Sequence, residues 1–145
     1  MKIIPRGILT TEDISKLESE FEITLPQDYK EFLLTHNGGR PEISYAEFYI
    51  EYLEEYVYLV TLYDINDVSE YSNMWPGDIP LKSIIIGRDT RGGQLLLIAD
   101  GEEDGLYYYD QAYTFEQSND DSNTYFIANT FTEFIDSLKV TNDEG

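Results

Sequence analysis

Cysteine is absent from the 145-residue chain, which excludes disulfides, thiolate nucleophiles and cysteine-built zinc sites. Histidine occurs once, at His36, so imidazole base chemistry has one possible position. Basic residues are scarce: 9 Lys plus Arg stand against 29 Asp plus Glu, a formal net charge of −20. A surface this acidic repels nucleic-acid phosphates and anionic lipid headgroups, so neither nucleic acid nor membrane is an expected partner. It attracts basic protein surfaces instead, and long-range steering accelerates such encounters by about 10- to 1,000-fold at low salt. The plain alternative is that the acidity serves solubility. Long hydrophobic runs are missing too. "MKIIPRGILTTED" holds a brief apolar stretch broken by Pro5 and Arg6, and no segment is long enough to span a bilayer, so a soluble cytoplasmic protein is expected. No G-x-S-x-G, P-loop, H-E-x-x-H or G-x-G-x-x-G motif is present.

What the chain does contain is apolar and aromatic material for one packed core, with 13 Tyr and 7 Phe. In "TTEDISKLESEF", Thr10 can cap a helix with Asp13 three residues on, and Ile14, Leu17 and Phe21 share a face. In "LPQDYKEFLLTHNGG", Pro26 suits the first helical position, Tyr29, Phe32 and Leu33 make the buried face, and Asn37-Gly38 supplies a left-handed stop. From residue 43 the period changes, and "ISYAEFYI" and "EYVYLVTLY" read as strands. "DINDVSEYSNMWPGDIP" reads as a short helix closed by Pro76-Gly77. "SIIIG", "QLLLIA" and "LYYYD", joined by the turns "RDTRGG" and "DGEEDG", form an antiparallel meander. Residues 116–124 read as a polar loop. "NTFTEFIDSLK" is a closing helix with a Thr130–Glu133 capping box and Phe131, Phe134, Ile135 and Leu138 on one face. The fold class is α+β: an antiparallel meander sheet with an N-terminal helix pair and a C-terminal helix packed on it. No repeat or linker divides it, so one domain is expected over residues 1–145, with its core at about 11–139 and a disordered tail at 140–145.

Candidate chemistry is thin. His36 falls in the last turn of its helix, where the macrodipole favours a cation, and Thr35 could act as a nucleophile only with a base and orienter around it. Gly38-Gly39 follows a helix, whereas phosphate cradles precede one. "DGEEDGLYYYDQ" places Asp100, Glu102, Asp104 and Gly105 at the first positions of a calcium loop, but Gln111 stands where a bidentate Glu is needed. A solvated hairpin turn is the simpler reading. The acid pairs Glu54-Glu55 and Asp120-Asp121 read as solvated charge. No enzyme activity, metal or cofactor is expected.

Taken together, "ISKLESEFEITLPQDYKEFLLTHNGG", then "IIIGRDTRGGQLLLIADGEEDGLYYYD", then "IANTFTEFIDSL" resembles the SUKH superfamily of Smi/Knr-like domains in order and spacing, from about residue 11 to residue 139. The family often has Gly-Asn in the central turn where this chain reads Gly92-Gly93-Gln94. The resemblance implies an α+β fold and, in bacteria, a non-catalytic immunity protein that neutralises a secreted toxin, often a nuclease. Fungal relatives regulate cell-wall synthesis and signalling, which leaves a regulatory or scaffold module with an endogenous basic partner as the alternative. The shared residues Leu25, Pro26, Tyr29, Asn37, Gly38, Gly39 and Gly92 read as structural.

Charge and family converge on a basic protein partner, a toxin that grips nucleic acid. "EFYIEYLEEYVY" interleaves Glu47, Glu51, Glu54 and Glu55 with Phe48, Tyr49, Tyr52 and Tyr56 and is the first candidate contact. The other reading of the same alternation is a strand pair with its aromatic face buried and its acids in water. The turn Asp100, Glu102, Glu103 and Asp104 is the second candidate.

Overall fold

Thr10 and Asp13 cap one another: the Asp13 N–H donates to Thr10 Oγ1 at 3.3 Å and the Thr10 N–H donates to Asp13 Oδ2 at 2.9 Å. In the computed structural model, which describes residues 2–42, 46–74, 79–119 and 123–140, this reciprocal box opens helix α1 (Thr11–Phe21), with Ile14 and Leu17 buried as predicted. Helix α2 (Gln27–His36) differs slightly from expectation. Pro26 is the residue before the helix, with ψ 146, rather than its first turn. Tyr29 and Leu33 are buried, and Phe32 packs partly buried against the core. Asn37 at φ 49 and Gly38 at φ 82 end the helix in left-handed conformation. Both following glycines are dictated by space. A Cβ on Gly38 would lie 2.5 Å from the Tyr63 carbonyl oxygen, and one on Gly39 would overlap the Ile4 carbonyl oxygen.

Among the described residues there are four helices and nine strands. Strands β1 (Ile3–Pro5), β2 (Gly39–Pro41), β3 (Ala46–Ile50), β4 (Glu55–Leu62), β5 (Ser83–Asp89), β6 (Gln94–Ile98), β7 (Gly105–Tyr109), β8 (Thr124–Ala128) and β9 (Lys139–Val140) form one antiparallel sheet. Its main path runs β1-β2-β4-β5-β6-β7-β8, with β3 also on β4 and β9 on β3. The predicted meander is present as β5-β6-β7 and continues into β8, which begins at Thr124, inside the stretch read as loop. β1, β2 and β9 are two or three residues long, too short to carry a period. Val140, read as tail, pairs with Ala46; residues 141–145 and Pro76-Gly77 lie outside the described residues.

The core sits where apolar runs are continuous. Ser83–Gly87 and all of β6 are buried on both faces, as "SIIIG" and "QLLLI" require. Helix α3 (Ile65–Ser72) packs against β5, where Ser72 Oγ accepts from the Ile85 N–H at 2.8 Å. Helix α4 (Phe131–Ser137) buries Phe131 and Phe134. Its cap is made by Thr130, whose Oγ1 accepts from the Glu133 N–H at 3.0 Å, while the Glu133 carboxylate reaches the Asn129 N–H at 3.4 Å instead of closing the expected box. Two aromatic contacts then fold the sheet on itself: Phe48 meets Phe134 edge-on at 5.1 Å, and Tyr52 stacks on Tyr125 at 5.7 Å. They bring β3 beside α4 and β8. Among the described residues no helix is long and apolar enough to cross a membrane.

Candidate protein-interaction surface

The β3–β4 hairpin carries opposite chemistry on its two faces. Ala46, Phe48, Ile50, Val57 and Leu59 point inward and are buried. The other face pairs Glu47 with Tyr58 and Tyr49 with Tyr56 across the ladder. Tyr49 is 43% exposed, Tyr56 47%, and Tyr52 in the connecting turn 73%. The tyrosines and glutamates therefore share the solvent side, which corrects the alternative of a buried aromatic face with acids opposite. Period-two alternation explains the outcome: Glu47 and Tyr49 are two residues apart, and Phe48 takes the core position between them.

Charge within the hairpin segment itself is of one sign, although Lys139 of β9 pairs opposite Glu47 at its edge. Glu51, Glu54 and Glu55 are exposed, and no Lys or Arg occurs between Arg40 and Lys82. Desolvation first, then Glu54, Tyr56, Glu51 and Glu55, pushes the Tyr49 hydroxyl above the ordinary tyrosine range, so it stays a neutral donor within a negative field. Four other cations are engaged away from the hairpin. Arg6 pairs with Asp64 and Asp67 at 3.8 and 3.9 Å, and Lys30 with Glu18 at 3.2 Å. Lys82 donates to the Glu22 carbonyl at 2.7 Å, and the Arg91 guanidinium lies 4.9 Å over the Phe115 ring.

Between the hairpin and the last helix lies a groove of about 400 Å³. Glu47, Tyr49 and Tyr56 of the hairpin line it together with Ile127 and Ala128 of β8, Glu133 and Ser137 of α4 and Lys139 of β9. Five contributors, Ile127, Ala128, Glu133, Ser137 and Lys139, carry no signal of a site in the chain itself. Glu133 was legible only as a cap. Ile127 and Lys139 reach the groove through strand pairings between distant segments, which leave no local signal.

The acidic turn Asp100–Asp104 is a separate patch. Asp100 Oδ1 accepts from the Glu102 and Glu103 N–H groups at 2.9 and 2.7 Å, and Asp104 Oδ1 accepts from the Gly101 N–H at 2.7 Å. These bonds hold the Asp100 carboxyl below the usual carboxylate range and turn two of the imagined calcium ligands onto their own backbone. Glu102 and Glu103 stay exposed. The turn joins β8 through Tyr107, whose hydroxyl donates to the Glu103 carbonyl at 2.7 Å and whose ring meets Phe126 edge-on at 5.6 Å. The hairpin joins β8 through Tyr52 and Tyr125, so the two patches share β8 as their common neighbour.

His36 and Thr35 do touch: Nδ1 lies 2.7 Å from Thr35 Oγ1. The Thr35 hydroxyl has a single hydrogen, and the Glu31 carbonyl at 2.9 Å competes with Nδ1 for it. A hydroxyl tied back onto its own helix in this way is not set up as a nucleophile. The ring also stacks on Phe32 at 4.8 Å. Asp120-Asp121 lie outside the described residues, and among those described no group of three or more His, Asp or Glu has metal-holding geometry. Leu25 and Tyr29 are core residues. Asn37 Oδ1 accepts from the Ile65 N–H at 2.9 Å, tying the end of α2 to the start of α3, and Gly92 turns the β5–β6 loop at φ 89.

No curated protein and no solved structure matches the chain significantly. The model of the SMI1 / KNR4 family (SUKH-1) matches residues 8–137, nearly the whole chain and every element from α1 to α4. The chain belongs to the SMI1 / KNR4 family (SUKH-1).

Proposed function

We propose that this protein is a non-catalytic immunity protein that binds a secreted toxin and neutralises it by covering a basic, nucleic-acid-gripping surface. One observation carries the reading. Exposed Tyr49, Tyr52 and Tyr56 share the hairpin with Glu47, Glu51, Glu54 and Glu55, and no cation lies in the same segment. Family membership agrees with a protein-binding role, and the net charge of −20 agrees with a basic partner. In this reading the carboxylates stand in for phosphates and steer the encounter, while the tyrosines, amphipathic and with two rotatable bonds each, anchor the complex. Glu102 and Glu103, with Asp100 and Asp104 shaping their turn, form a second contact across β8.

The test is co-expression with the toxin domain encoded beside the gene. Growth should be restored by the intact protein. Failure to protect against every neighbouring toxin would overturn the proposal.

A further inference from the structure

We infer that the groove between the β3–β4 hairpin and α4 receives an arginine side chain from the basic partner. The identity of that partner rests on the immunity reading; the chemistry of the groove does not. Tyr49 and Tyr56 line the groove, their rings 4.9 Å apart at their centroids with planes tilted by 56°. Ile127 and Ala128 of β8 also line the groove. Behind the groove the Phe48–Phe134 contact is buried, so the pocket is preformed on packed elements. Glu47 on β3 and Glu133 on α4 contribute carboxylates from different elements, and neither makes an ion pair among the described residues.

A guanidinium fits that combination. It is planar, stacks on tyrosine faces and is weakly hydrated, so entering an aromatic slot costs it less than it costs an ammonium. Its five donors can serve two carboxylates at once, whereas a lysine presents a compact point charge. An anion would meet Glu47 and Glu133 directly. Lys139 is the opposing feature. It lines the groove opposite Glu47 in the β3–β9 register, yet no ion pair joins them. Its charge repels an incoming cation and would welcome an anion, which makes it the discriminating residue.

The experiment is an NMR titration of the full chain with acetyl-Gly-Arg-Gly-amide and its Lys and Glu counterparts at low salt. Shifts should concentrate on Tyr49, Tyr56, Ile127 and Glu133, with the arginine peptide binding more tightly than the lysine one and the glutamate peptide leaving the groove unmoved. Lys139→Gln should tighten the arginine peptide by about threefold, the effect of removing one like charge at a few ångströms in water. Glu133→Gln and Tyr49→Leu, each with a native-like spectrum, should weaken it. Weaker binding by Lys139→Gln, equal response to Arg and Lys, shifts centred on Asp100–Asp104, or no localised shift at millimolar peptide would each overturn the inference. Toxin rescue is scored separately: rescue without groove binding removes only the arginine slot, and groove binding without rescue removes only the immunity reading.

Discussion

Tyr49 and Tyr56 face one another across the β3–β4 ladder with ring centroids 4.9 Å apart on the solvent side. Directly behind them Phe48 and Val57 are buried. Binding and folding are therefore separable at adjacent positions. Truncating the outer pair removes a cross-strand contact worth roughly 0.2–1 kcal/mol to the fold, whereas loss of an interface anchor costs about 2 kcal/mol or more of affinity. Tyr56→Ala should thus shift a urea midpoint little and weaken toxin binding by calorimetry about 30-fold, the equivalent of that loss. A stability loss of several kcal/mol with affinity retained would move the pair from interface to architecture.

Asn37 has the opposite character. It holds a left-handed φ of 49 and its Oδ1 accepts the Ile65 N–H at 2.9 Å. Asn37→Ala loses both the conformational preference and the bond and should destabilise by about 2 kcal/mol. Asn37→Gly keeps the backbone free and should cost about half as much. Urea unfolding of the two variants orders them, and an alanine variant as stable as the glycine one would show that the left-handed backbone is not what the site demands.

Tyr29 is buried, and its hydroxyl has no hydrogen-bond partner among the described residues. Burial also pushes its pKa far above the ordinary range, so the group stays neutral. An unpartnered buried hydroxyl costs roughly 1–3 kcal/mol. Tyr29→Phe should therefore hold or raise stability by about 1 kcal/mol in thermal unfolding. A clear drop would reveal a polar partner, such as an internal water.

The acids should titrate in two groups. Desolvation raises the pKa of buried Asp89 above its usual 3.8, although Tyr108 and the Gly93 and Arg91 amides oppose the shift. Asp13 and Asp100 lie below that value, held there chiefly by backbone N–H bonds. The linkage signs differ accordingly. Asp89 binds its proton more tightly when folded, so its contribution is complete below 3.8 and is lost as pH rises through the folded value. Asp13 and Asp100 contribute above 3.8 and lose that contribution as pH falls through their folded values. Carboxyl-carbon NMR titration should place Asp89 highest of the three. Asp89→Asn should remove the declining limb from stability against pH, and an Asp89 that titrates with the exposed acids would contradict its burial.

Much of this architecture was legible in the chain because its signals are local. Thr10 and Asp13 cap across three residues, Asn37-Gly38 ends a helix by backbone preference alone, and the apolar runs in β5 and β6 need no partner to be recognised. The groove is not local. Glu47 comes opposite Lys139 only after β9 has paired with β3, and Tyr49 and Ile127 line one groove only once β3 lies beside β8, where Tyr52 stacks on Tyr125. β8 was hidden by its setting, since "TYFIA" follows a polar stretch and two of its five residues face solvent. The face on which the hairpin tyrosines lie was also undecided by composition. Phe48, larger in apolar content and one residue away, took the core position and left Tyr49 outside.

The most direct test of a basic partner steered to this hairpin is stopped-flow association of Glu54→Lys/Glu55→Lys with the toxin encoded beside the gene, at low and at physiological salt. Both side chains are exposed beside Tyr49 and Tyr56, so charge reversal should leave folding intact, slow association by about 10-fold or more at low salt, and change dissociation much less. The gap from the unmodified protein should narrow as salt is added. An association rate equal to that of the unmodified protein at low salt would contradict the account, because an acidic hairpin that does not steer its partner is not the surface that meets it.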